Sequence, residues 1–89
     1  MGKELRFSSH CKDRIKERGI DEKMVRKSVF TPEQRISKGK RIILHKRYRD
    51  PGKNKEYLLR IFVEEKKEEI EIVSVYRTSK IQKYWREKI

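Results

Sequence analysis

Several things are scarce in this chain, and each scarcity removes a class of explanation. There is one cysteine, Cys11, so no internal disulfide can form. There are two histidines, far apart in sequence, and the acidic residues bunch in one turn, so no metal-ligand spacing is present. Glycine-rich phosphate loops and Ser-His-Asp signatures are also missing. No apolar run is long enough to span a bilayer, and nothing at the N-terminus reads as a signal peptide, so the cytosol is the expected location. Hydrophobic residues make up only 34% of the chain against 45% charged, so the core must be thin. Residues 1–89 suit one small domain and are too few for two.

What is abundant is positive charge. The formal net charge is +12, a field that attracts polyanions, with nucleic acid the first candidate. Part of the Lys/Glu content reads as the solvated surface of a heat-adapted protein, but such a surface can be balanced and this one is not. The segment "EEKKEEIE" (64–71) is acidic, which concentrates the cations elsewhere.

The apolar residues cluster enough to specify a fold. Residues 8–18 read as a helix, with Ser8 or Ser9 as its cap and Gly19 just past its end. Asp21 caps a second helix over 22–30, with Ile20 and Val25 as a hydrophobic staple, and Thr31-Pro32 ends it. Strands are expected at 34–37, 41–49, 56–65 and 69–77, with "DPGKNK" (50–55) the strongest turn signal. The tail places Ile81, Tyr84, Trp85 and Ile89 at helical spacing. The expected fold is therefore α+β: two N-terminal helices, an antiparallel sheet of three to four strands, and a short C-terminal helix.

The first helix raises the functional question. Phe7, Cys11 and Ile15 define its apolar arc, while His10, Arg14 and Arg18 recur at the same four-residue step. Taken singly, each arginine is explained by snorkelling and the histidine by a surface position. As a row, one imidazole and two guanidinium groups could hold a phosphate and exchange a proton near neutral pH. The sheet would supply the other half. Arg60 lies inside an apolar row, and the last strand ends in Tyr76, Arg77, Thr78, Ser79 and Lys80. Simple alternation puts Ile70, Ile72, Ser74 and Tyr76 on one face of that strand and Val73, Val75 and Arg77 on the other. Thr78 and Ser79 could instead cap the final helix, and His45, beside Lys46 and Arg47, reads as a surface residue.

The stretch "SSHCKDRIKERGIDEKMV" resembles the opening of domain-of-unknown-function family 4258, through Ser8, His10, Arg14, Arg18, Gly19, Ile20 and Val25, with Pro32 after the second helix. Cys11 stands where that pattern usually has a small alanine, and "VSVYR" resembles the family's last strand. The resemblance implies a RelE/ParE-like fold within the barnase–EndoU–colicin–RelE ribonucleases, and so a metal-independent, cofactor-free endoribonuclease toxin with an acidic or amphipathic antitoxin. Carried over, His10 is the proton-transfer group, with Tyr76 or Thr78 as a second polar group. Arg14, Arg18 and Arg77 then hold phosphate; by their position in the strands, and not by the resemblance, Arg60 (a solvent-face or a groove-lining arginine) and Lys80 are further RNA-binding cations. RNA, ribosome-bound messenger included, is the expected partner, and no membrane is. The rivals are a non-catalytic RNA-, ribosome- or DNA-binding protein, in which Tyr48, Tyr57 and Tyr76 stack on bases, and a toxin of the gyrase-inhibiting kind that acts by protein contacts.

Overall fold

A computed structural model describes residues 4–85. The described residues begin with a strand, β1 (Glu4–Phe7), followed by helices α1 (Ser9–Glu17) and α2 (Glu22–Phe30). Four strands follow, β2 (Gln34–Lys38), β3 (Arg41–Asp50), β4 (Lys55–Glu65) and β5 (Glu69–Thr78), and then a short helix, α3 (Ile81–Tyr84). The strands form one sheet in the order β1-β5-β4-β3-β2, with β1 parallel to β5 and every other pair antiparallel.

This corrects the expected arrangement. The class is α+β overall, but the sheet has five strands and is mixed, and a strand precedes the helices. The segment "ELRF" is too short to announce itself, and its pairing with β5 reaches across most of the chain. Phe7 is buried and Leu5 packs on the core, whereas Arg6 pairs with Glu69 at 3.6 Å on the outside.

The helix boundaries follow from local chemistry. The Ser8 hydroxyl accepts the Cys11 N–H at 3.1 Å, so Ser8 is the cap of α1. Gly19, at φ +65°, allows Gly19 N–H to reach the Lys16 carbonyl and Ile20 N–H to reach that of Ile15, which closes the helix in a Schellman motif. Asp21 caps α2 by accepting the Lys23 N–H at 2.9 Å, and Ile20 and Val25 share the core as a staple.

Both long helices cover one face of the sheet. Cys11 and Ile15 from α1 and Val25 and Val29 from α2 meet Ile42, Leu44, Leu59, Ile61, Val63, Ile72 and Val75. The register corrects the simple alternation expected in β5. Phe62 pairs with Ser74 but Val63 pairs with Ile72, so Val73 is an extra, bulged residue. The bulge lets Ile72 and Val75 both reach the core while Ser74 and Tyr76 project from the opposite face.

A candidate nucleic-acid interface on the α3 face

The opposite face of the sheet is built differently. Cross-strand pairing aligns Gln34 with His45, His45 with Arg60, and Arg60 with Tyr76, a single row across β2, β3, β4 and β5. Residues paired this way project from the same face and lie close enough to touch. Each does bond to the next. His45 Nδ1 and Gln34 Oε1 are 3.0 Å apart, Arg60 Nε donates to His45 Nε2 at 3.1 Å, and Arg60 Nη1 donates to the Tyr76 hydroxyl oxygen.

The row sits in an aromatic setting. The Arg60 guanidinium carbon lies 4.2 Å from the Tyr84 ring centroid, 5.3 Å from that of Phe62 and 5.4 Å from that of Tyr76. Trp85 stacks near His45 with centroids 6.4 Å apart, and Arg47 lies 4.3 Å over the Trp85 ring. α3 and Trp85 thus fold onto this face, where Ile43 and Leu58 are buried apart from the main core.

Arg60 differs from two other arginines of the face. Arg41 pairs with Glu64 at 2.9 Å and Arg47 with Glu33 at 3.3 Å, whereas among the described residues no carboxylate pairs with Arg60, nor with Arg49, which donates to the exposed Asn54 amide oxygen at 3.1 Å. The neighbours of Arg60 are an imidazole, a phenol and rings, all of which hold the cation without neutralising it. Burial opposes ionisation of Glu33, but the Arg47 backbone and side-chain hydrogen bonds outweigh it, so its pKa falls below the ordinary value.

The residues singled out in the sequence divide between the two faces. Arg60, Tyr76 and Thr78 project from the α3 face, where Thr78 Oγ1 accepts the Lys80 N–H at 3.0 Å and so caps the turn into α3. Lys80 is exposed at that turn. His10 and Arg14 are exposed on α1, in the layer covering the other face. Arg18 does reach the last strand, but through backbone: its Nη1 donates to the Val75 carbonyl at 2.8 Å, covering β5 beyond the end of β1.

Arg77 projects from the helix-covered face, in a cleft of about 220 Å³ shared with Gly19, Asp21, Met24, Tyr48 and Asp50. Its Nη1 donates to the Tyr48 hydroxyl at 3.2 Å and to Asp50 Oδ2 at 3.1 Å, and the guanidinium lies 4.6 Å over Tyr57. Tyr48 and Tyr57 are thereby committed to Arg77. The expected single anion pocket is not what the structure assembles: Arg77 is neutralised by Asp50, and Arg60 and Arg77 stand on opposite faces.

His45, expected at the surface, is fully buried. Its partner could have been found from the hairpin. Counting outward equally on both sides of the Asp50↔Lys55 pair, which "DPGKNK" fixes, arrives at His45 and Arg60.

Cys11 is buried, and burial pushes its thiol pKa up, so it is a packing residue rather than a nucleophile. No group of three or more His, Cys, Asp or Glu suited to a metal occurs among the described residues, nor does any helix long and apolar enough to cross a membrane. Comparisons with protein-family models, with curated proteins and with solved structures found no match to this chain.

Proposed function

We propose that this protein binds single-stranded RNA across the α3 face, with Arg60 seated on a backbone phosphate. The observation that carries the reading is the state of Arg60: a guanidinium fixed by uncharged acceptors, set among three rings, and unpaired with carboxylate among the described residues. A cation held in this way keeps its charge available for an anion. The net charge of +12 supplies the long-range attraction. Rings beside a phosphate site suit unpaired bases, which is why a single strand is preferred over a duplex.

The test is fluorescence anisotropy with a labelled single-stranded RNA, comparing wild type with Arg60→Gln and Lys80→Gln. Arg60→Gln is expected to weaken binding roughly tenfold or more, the scale of a lost charged hydrogen bond, and Lys80→Gln by much less. An Arg60→Gln protein that binds as wild type refutes the assignment.

A second reading, metal-independent RNA cleavage, rests on one detail. Arg60 donates to the Tyr76 oxygen, which leaves the phenolic proton for another acceptor. In this reading the 2′-hydroxyl gives its proton to solvent and attacks the adjacent phosphorus, Arg60 stabilises the charge on the phosphoryl oxygens, and Tyr76 protonates the 5′-oxygen as its bond to phosphorus breaks and is then reprotonated from solvent. The resemblance to the toxin-like family points the same way, toward a cytosolic toxin covered by an acidic or amphipathic antitoxin segment. Labelled RNA incubated in chelator should be cut by wild type and left whole by Tyr76→Phe. Intact RNA with wild type leaves the binding reading alone.

A further inference from the structure

The row across the α3 face has an internal logic beyond its cation. Of the nitrogens in Arg60, Nε–H is spent on His45 and one Nη1–H on Tyr76. An arginine Nε can only donate, so His45 Nε2 must be the acceptor and carry no proton. The imidazole is then neutral, and its proton sits on Nδ1, where it is donated to Gln34 Oε1. Gln34 thus fixes the tautomer, the tautomer fixes the guanidinium, and the guanidinium fixes the phenol. His45 and Gln34 are both buried, where polar atoms need hydrogen-bond partners.

We infer that Gln34 and His45 are positioning residues that aim Arg60. They tie down its Nε side and leave the Nη2 edge and the second Nη1 hydrogen together as a fork for two oxygens of one phosphodiester. The inference rests on the phosphate reading above for its ligand, but not for its chemistry. The Tyr84 ring, 4.2 Å from the guanidinium carbon, covers one side of the guanidinium and bars a ligand from that side. Edge-on contact is the geometry in which arginine grips two phosphate oxygens, and a freely rotating side chain loses it.

Two measurements test this. Side-chain nitrogen NMR of the histidine-labelled full chain reads the tautomer directly. A bare Nε2 and a protonated Nδ1 on His45 are expected, and a protonated Nε2 overturns the relay whatever the protein binds. RNA affinity then reads the consequence. His45→Leu, which removes the acceptor, should weaken binding about as much as Arg60→Gln. His45→Gln, whose amide oxygen can accept from Arg60, should recover most of the loss, which a merely space-filling role would not produce. His45→Leu binding as wild type, or His45→Gln no better than His45→Leu, overturns the positioning role. If Arg60→Gln itself binds normally, the phosphate reading falls, and the tautomer measurement still decides the relay. Should His45→Leu fail to fold, Gln34→Leu on the edge strand replaces it, with the same loss expected.

Discussion

The two faces of the sheet use adjacent residues of the same strand for opposite ends. Leu59 is fully buried under α1 and α2, while Arg60, the next residue, stands on the α3 face among rings and uncharged acceptors. On the helix-covered face a cation is neutralised, as Arg77 is by Asp50. On the α3 face the central cation is held but left charged. One face holds the main core, and the other holds, at its centre, a cation that among the described residues has no carboxylate partner. The difference teaches that an arginine inside an apolar run is informative only once its partners are known.

The largest effect should separate the faces through that adjacent pair. Leu59→Ala leaves a cavity in the main core and should cost about 2–5 kcal/mol in denaturant unfolding, with RNA affinity per folded molecule unchanged. Arg60→Gln should show the affinity loss, with a smaller stability loss of about 1–3 kcal/mol because the buried His45 acceptor loses its donor. If Leu59→Ala weakens binding as much as Arg60→Gln does, the faces are not functionally separate.

A smaller effect is confined to the helix side. Gly19 has φ +65° and open space where a Cβ would stand, so Gly19→Ala is opposed by backbone conformation alone. A loss of about 1 kcal/mol is expected in the same unfolding assay, with no change in binding. A loss far above that would mean α1 is tied to the α3 face.

The gentlest probe is acid. Burial pushes Asp50 up, but hydrogen bonds from the Gly52 N–H, the Arg77 side chain and the Lys53 N–H outweigh it and hold its pKa below the ordinary 3.8. Glu33 is likewise held below its ordinary 4.5. A carboxyl held low in the folded state stabilises it above the unfolded pKa, and the contribution disappears as pH falls through the folded value. Melting temperature should therefore be flat near neutrality and begin to fall as pH drops below about 4.5. Asp50→Asn should lower the neutral value and flatten the acid limb, and an unaltered limb would show that the Asp50–Arg77 pair contributes nothing.

What could be read in advance was local. Ser8, Gly19, Asp21 and the Asp50–Asn54 turn each act within a few residues, and each stands where its chemistry requires. β1 was not legible because its four residues gain their partner only when β5 arrives. The Val73 bulge was hidden for a related reason: alternation is broken by the pairing partner, not by the residue itself. The row on the α3 face lay between these extremes, since the hairpin count pairs His45 with Arg60, but Gln34 and Tyr76 join only through two further strand pairings.

By itself the sequence determined that this protein is strongly basic, where its two long helices stop, and where its hairpins turn, because charge, capping and turn geometry are properties of near neighbours along the chain. Only the tertiary structure decided which cation is paired with a carboxylate. Register across strands brings together residues distant in sequence, and those contacts, rather than residue type, assign Arg77 to a carboxylate and Arg60 to an imidazole and a phenol.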